Sequence, residues 1–156
     1  MLEEKYYLTK EGLKKIKKEY KKLLSLKKLK SKGGAPSVLH SDELSAEFVS
    51  YREDLDFLES KIEELEHVLR NYELIKPPPK KERDKVHLGA QVKVEVDGQT
   101  DEFMIVGTLE ANPTMGKISN ESPVGKALLG HRVGDEVLVS SPVKKVYKIK
   151  KINYKI

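Results

Sequence analysis

From Phe48 onward apolar side chains recur with a fixed rhythm. Phe48, Tyr51, Leu55, Leu58, Ile62, Leu65, Leu69 and Tyr72 follow one another at intervals of 3, 4, 3, 4, 3, 4 and 3 residues. A seven-residue repeat sustained this long predicts a helix over residues 42–75 whose stripe packs as a coiled-coil seam. Earlier in the chain Leu13, Ile16, Tyr20 and Leu23 repeat at 3, 4 and 3, with Leu24, Leu26 and Leu29 following less regularly. They predict a first helix over residues 9–31, capped by Thr9 with Gly12 just inside, and both stripes are read as core. Gly33, Gly34 and Pro36 stop it, because paired glycines are poor helix formers and proline cannot occupy a helix interior. Two stripes that need cover, joined by a short break, predict an antiparallel hairpin. The helices would be roughly 50 Å and 33 Å long, so residues 32–41 are expected to cover the longer one as an irregular tip.

After Lys76-Pro77-Pro78-Pro79-Lys80, a stretch with the composition of a semi-rigid linker, the period becomes two. Residues 90–96 alternate, Asp97-Gly98 marks a turn, and residues 102–106 return as a second strand. Residues 136–139 and 146–152 predict two more strands. Ser122-Pro123 followed by Gly130 brackets a short helix, with a serine cap, proline in the first turn and glycine past the end. The expected fold is α+β, with a coiled-coil hairpin over residues 1–75, its acidic tip near 38–47, a linker over 76–85 and a small antiparallel sheet with one helix over 86–156. No internal repeat is present.

Charge sharpens the hairpin. Residues 1–32 hold twelve lysines against four glutamates, whereas residues 42–75 hold eleven acids against three bases, though the whole chain carries only +5. Oppositely charged flanks favour two helices lying side by side. The chain has no cysteine, which excludes a disulfide framework, a thiolate metal site and a cysteine nucleophile. No apolar run reaches the roughly 18–20 residues of a membrane span, and the acidic start is unlike a signal peptide. A cytoplasmic protein without a membrane partner is expected.

The familiar catalytic motifs are absent. There is no phosphate-binding glycine loop, His40, His67, His87 and His131 lack metal-ligand spacing, and Ser119, Ser122, Ser140 and Ser141 lie in no nucleophile elbow. What remains is a set of carboxylates near the hairpin's turn, Asp42, Glu43 and Glu47. Asp42 and Glu43 would stabilise the start of the second helix through its exposed N–H groups. The other reading is metal delivery. Mg²⁺ takes one or two protein carboxylates and fills its shell with water and phosphate oxygens, so acids on an arm could complete a metal site inside another molecule.

Three stretches resemble the bacterial Gre transcript-cleavage factors (GreA/GreB) over essentially the whole chain. They are Thr9-Lys10-Glu11-Gly12-Leu13-Lys14-Lys15-Ile16, Ala46-Glu47-Phe48 with Arg52-Glu53, Ile62 and Leu69, and most specifically residues 119–136, Ser-Asn-Glu-Ser-Pro-Val-Gly-Lys-Ala-Leu-Leu-Gly-His-Arg-Val-Gly-Asp-Glu. The resemblance implies an N-terminal antiparallel coiled-coil hairpin and a C-terminal FKBP-like domain. It implies a monomer that docks on the rim of the secondary channel of RNA polymerase and reaches the active site with its hairpin. There the tip acids help hold a second Mg²⁺ shared with the polymerase, which then cleaves its own backtracked RNA. The factor has no cofactor of its own and carries no complete active site. The chemistry is two-metal hydrolysis, with ions about 4 Å apart stabilising the attacking and leaving oxygens.

Carried onto this chain, the resemblance assigns Asp42 and Glu43 to the metal, and Glu121, Ser122 and Pro123 to polymerase contact. Arg52, Lys30 and Lys32 are candidates for guiding the nascent RNA 3′ segment. The tip departs from the family pattern Gly-Asp-Leu-x-Glu-Asn-Ala-Glu-Tyr: aligned without gaps on Ala46-Glu47-Phe48, the two acidic positions fall on Ser41 and Leu44. Two activities therefore stay open, stimulation of cleavage and occupation of the same channel by a regulator or inhibitor that stimulates none. A nucleic-acid binder working through the lysine-rich helix and a prolyl isomerase using Phe103, Tyr147 and Tyr154 are the readings from other classes.

Overall fold

The computed structural model describes residues 4–33 and 46–156. Most of the expected tip, with Asp42 and Glu43, lies outside them. The chain divides into two units, Lys14–Asn71 and Met1–Leu13 together with Tyr72–Ile156.

The first unit is built on two helices, α1 (Lys10–Lys32), whose opening turn belongs to the other unit, and α2 (Ala46–Arg70). Tyr20 pairs with Glu66, Lys27 with Glu59 and Lys30 with Asp54. Partner numbers fall along α2 as they rise along α1, which makes the pair antiparallel, as its patterns predict. Leu55 and Ile62 are buried, and Phe48, Tyr51, Leu58, Leu65 and Leu69 are half-buried. On α1 the half-buried line runs Ile16, Tyr20, Leu23, Lys27, Lys30. Leu24, Leu26 and Leu29, read from sequence as core, are 40%, 41% and 67% exposed instead. The heptad register continues from Leu23 onto Lys27 and Lys30, and those lysines find carboxylates across the seam at 3.7 Å and 2.7 Å. The seam is thus apolar toward the start of α1 and ionic toward its end.

Helix α2 stops at Arg70, short of the expected residue 75. The Asn71 amide donates to the His67 carbonyl at 2.8 Å, and the chain then leaves the helix as β2 (Tyr72–Leu74), which pairs in parallel with β1 (Tyr6–Leu8). Tyr72 is therefore a strand residue, not the last knob of the seam. Over the described residues the helices run 23 and 25 residues, or about 35 and 38 Å; the expected start of the second helix at residue 42 lies outside those residues.

The second unit carries a five-stranded sheet made of β3 (Gln91–Val96), β4 (Gln99–Val106), β5 (Lys117–Ser119), β6 (Glu136–Val139) and β7 (Lys145–Asn153), in the order β5-β4-β3-β7-β6. Asp97 and Gly98 both have positive φ, the backbone a tight hairpin needs for its twist to match that of the strands. The sheet is not wholly antiparallel: β5, which the pattern left unassigned, pairs with β4 in parallel. Helix α3 (Pro123–Leu128) packs Leu128 into a cluster with Val86, Val92, Val94, Ile105, Val137, Val139 and Ile149. The expected linker is tied down after its prolines: Arg83 donates to the Pro78 carbonyl at 3.0 Å, Lys85 bridges to Arg132, and the Tyr154 hydroxyl donates to the Lys85 carbonyl.

Ile105→Ala, which empties a fully buried site, should destabilise the sheet by about 2–5 kcal/mol, whereas Leu29→Ala should stay within about 0.5 kcal/mol of wild type. Urea unfolding followed by circular dichroism measures both, and equal midpoints would refute the assignment of core and surface.

Candidate functional site

The turn between β5 and α3 is built by local polar bonding. The Ser122 hydroxyl accepts from the Gly125 N–H at 3.1 Å and donates to the Ser119 carbonyl at 2.6 Å, capping α3 as its sequence predicts. Pro123 follows at the first helical position, where a missing N–H costs nothing. A Cβ on Gly125 would lie 2.1 Å from the Ser119 carbonyl oxygen, so only glycine lets helix and strand approach this closely.

Glu121 is held from two sides. Its N–H donates to the Ser119 hydroxyl at 3.0 Å, and its carboxylate accepts from the Thr108 hydroxyl at 3.1 Å. The Thr108 and Ser119 hydroxyls are themselves 3.0 Å apart. Glu121 and Pro123 remain exposed. The result is an acidic, fixed projection rather than a loose side chain. Beside it lies a groove of about 270 Å³ lined by Lys5, Tyr6, Tyr7, Leu109 and Glu121 among others. Leu109 is half exposed there. The sequence reading picked out Glu121, Ser122 and Pro123 but missed Thr108, Leu109 and the tyrosines. A polar Ser-Asn-Glu-Ser run closing a strand was the local signal for the turn, whereas nothing in the sequence spacing places residues 5–7 beside residue 121.

Glu110, from the 3₁₀ turn Thr108–Glu110, accepts from the Thr9 N–H at 2.7 Å and from the Thr9 hydroxyl at 2.6 Å. That hydroxyl in turn accepts from the Gly12 N–H at 3.0 Å. Thr9 therefore caps α1 as expected, and a carboxylate distant in sequence completes the cap where N–H groups are otherwise unpaired.

The sites proposed near the hairpin's turn are only partly described. Asp42 and Glu43 lie outside the described residues, and Glu47 stands exposed in the first turn of α2. Lys30 bonds Asp54 at 2.7 Å and lies over the Tyr51 ring, 5.6 Å from its centre. Arg52 sits 3.9 Å from Asp56, one turn along the same helix, and Lys32 is exposed at the end of α1. Among the described residues no group of three or more His, Cys, Asp or Glu could hold a metal. Phe103, Tyr147 and Tyr154 pack against the sheet core, and the Tyr154 hydroxyl is occupied by backbone groups at His87 and Lys85. They serve the fold, not an open aromatic pocket.

Residues 80–154 match the family described as "Transcription elongation factor, GreA/GreB, C-term". The chain is 36% identical over 144 residues to transcription elongation factor GreA of Thermomicrobium roseum, spanning 91% of this chain and 92% of that protein. It is 39% identical to the GreA of Geobacillus kaustophilus, spanning 90% of each. The chain belongs to the GreA/GreB family of transcription elongation factors. Among solved structures similar to it is Gfh1 of Thermus aquaticus, at 27% identity and a TM-score of 0.42, covering 96% of this chain and 98% of that one. In this GreA/GreB member the matched region contains the whole β5–α3 turn, while the GreA relatives also extend through the hairpin.

The family stretch 119–136 ends in a second polar clamp. Asp135 accepts from the Arg132 N–H at 2.9 Å and lies 3.3 Å from the His131 ring nitrogen. The backbone bond from Arg132 holds its carboxyl below the usual carboxylate range, outweighing the opposing effect of burial with help from the bond and charge of His131. A depressed folded-state pKa contributes stability that is complete above the unfolded pKa and is lost as pH falls through the folded one. Asp135→Asn should therefore lower the melting temperature at neutral pH, with the gap to wild type closing on acidification below the ordinary carboxylate pKa. A gap that widens in acid would contradict the assignment. Ser122→Ala, which removes the α3 cap, should cost about 1 kcal/mol in urea unfolding at pH 7.

Proposed function

We propose that the protein binds bacterial RNA polymerase, enters its secondary channel with the α1–α2 hairpin, and stimulates cleavage of backtracked nascent RNA by the polymerase itself. What supports the reading is identity of 36–39% to GreA proteins across hairpin and sheet alike, in a chain whose sequence between two seam-packed helices carries Asp42 and Glu43. Carboxylate oxygens are the donor type Mg²⁺ prefers, and one or two protein carboxylates suffice when water and phosphate complete the shell. Asp42 and Glu43 would hold the ion jointly with the polymerase; bound there, it would supply charge stabilisation for phosphodiester hydrolysis. The Glu121–Pro123 projection and its apolar flank at Leu109 suit docking on a protein partner. Arg52 and Lys32 would attract the RNA phosphates, while Lys30 is engaged with Asp54.

The second reading, occupation of the channel without stimulation, is favoured by one observation: the acids stand at 42 and 43, adjacent to each other, where the ungapped family pattern places Ser41 and Leu44. Adjacent residues on a helix diverge by about 100°, so the pair would converge on one ion only from non-helical backbone.

Backtracked elongation complexes with 3′-labelled RNA separate the readings. Stimulation predicts rapid release of a short 3′ fragment on addition of the protein. Asp42→Ala with Glu43→Ala should lower that rate by at least about tenfold while leaving polymerase affinity near wild type. Uncut RNA together with slowed elongation would establish the regulator instead.

A further inference from the structure

A second concavity on the sheet-bearing unit is unused by the docking reading. It measures about 710 Å³, and its wall carries Lys10, Lys76, Lys117 and Lys155 around an apolar floor that includes Ile75 and Met104. The lysines come from the start of α1, the segment after β2, strand β5 and the segment after β7. None of the four makes an ion pair or side-chain hydrogen bond among the described residues. Glu11 is the acid on the wall. Four ammonium groups against one carboxylate leave an excess of positive charge and a local positive field, a condition relieved by an anion.

The floor selects among anions. It offers aliphatic side chains and no aromatic ring, so a nucleotide base would find nothing to stack on. An acidic peptide segment carrying an aliphatic or aromatic anchor fits both features, with its carboxylates at the lysine rim and its apolar side chain on Ile75 and Met104. Position adds a further argument. Tyr6 and Tyr7 of β1 line the Glu121 groove, and Thr9, just beyond β1, lines this one. Along β5, Lys117 lines this groove while Ser119 bonds Glu121. The two concavities therefore lie at opposite ends of the same two strands, one with an acidic projection and one with a basic rim.

We propose that the lysine-rimmed groove is a second half of the docking surface and takes an acidic, apolar-anchored segment of the protein that Glu121–Pro123 engages, an inference that rests on the reading of RNA polymerase as that partner. Opposed charges at the two ends fix the orientation of docking, because a reversed partner would meet like charge at both.

The test is competition between fluorescently labelled wild-type protein and unlabelled full-length variants for core RNA polymerase. Lys76→Glu with Lys155→Glu, both at exposed positions, should weaken binding about tenfold or more and flatten its salt dependence. Lys76→Arg with Lys155→Arg, which keeps both charges, should bind like wild type. Unchanged circular dichroism and melting temperature in both variants separate lost contact from lost fold. Glu121→Lys tests the docking reading independently. If it weakens binding while the double glutamate variant competes like wild type, docking stands and the groove proposal is overturned. If wild type itself fails to bind polymerase, both fall. If the glutamate variant loses affinity for a free single-stranded RNA oligonucleotide as steeply as for polymerase, the groove takes nucleic acid and the proposal is overturned.

Discussion

Neither long helix can stand alone, and the seam between them is the constraint from which the hairpin follows. In proteins most helical stability comes from packing of an amphipathic face rather than from propensity, and α1 is crowded with lysines that repel one another along its surface. Pairing with α2 covers the apolar line from Ile16 to Leu23 and supplies carboxylates where that line gives way to Lys27 and Lys30. The Tyr20 phenol adds a cross-helix hydrogen bond to Glu66, which raises its pKa because the bond to a carboxylate favours the protonated form. Surface ion pairs of this kind contribute only about 0–1 kcal/mol each. Their larger effect is to fix register and direction, since sliding one helix by a turn would set Lys27 and Lys30 against apolar neighbours and take their carboxylate partners away. Apolar packing therefore holds the hairpin at one end, and charge aligns it at the other.

The second unit depends on backbones approaching closely at a few points. A Cβ on Gly107 would sit 2.2 Å from the Tyr7 carbonyl oxygen, so glycine there admits strand β1 against the turn that carries Thr108 and Glu110. From that contact follow the Thr9–Glu110 cap and the tyrosines that line the groove beside Glu121. Gly125 does the same for α3 against β5. Two small residues thus bring the chain's first strand, its central turn and its signature helix together. Through Glu110 the same turn supplies the carboxylate that completes the α1 cap. Packing at Gly107 and the polarity of the candidate site are consequences of one local geometry.

Much of this was legible in the sequence because it is periodic or locally bonded. The heptad of α2, the Asp97-Gly98 turn, the Ser122 cap and the alternation of β3 each depend on neighbours within a few residues, and the structure repeats them. What was not legible depends on partners far along the chain. Leu24, Leu26 and Leu29 look like core by composition, but the geometry of the seam gives their places to Lys27 and Lys30. Tyr72 extends the heptad count perfectly, yet pairing with Tyr6 claims it for a strand. Parallel pairing of β5 with β4 and the approach of residues 5–7 to residue 121 have no local signal at all. At the candidate site Glu121, Ser122 and Pro123 were readable as a motif, whereas Thr108 and Leu109, which restrain and flank the projection, were not. The acids at 42 and 43 were visible only as charges at a break between helices.

Thr9 and Ser122 spend their hydroxyls on capping helices, and the other described features of note are structural. The protein's visible assets are mechanical and electrostatic: a register-fixed helix pair, a clamped acidic projection and a rim of lysines without ion pairs among the described residues. On the proposed reading those assets suffice, because the polymerase already possesses a metal-dependent active site and lacks only further oxygen donors at the right place. Lending carboxylates to another enzyme puts the demand on position, since effective concentration at a fixed site, rather than intrinsic reactivity, sets how much a donated ligand helps. That demand explains why residues that never touch RNA or metal matter to such a factor. A seam that slipped by one turn would shift one helix against the other by about 5 Å, more than a metal-ligand bond tolerates. A docking surface with opposite charges at its two ends would guard against the complementary error, binding in the wrong orientation, at the other end of the molecule's task.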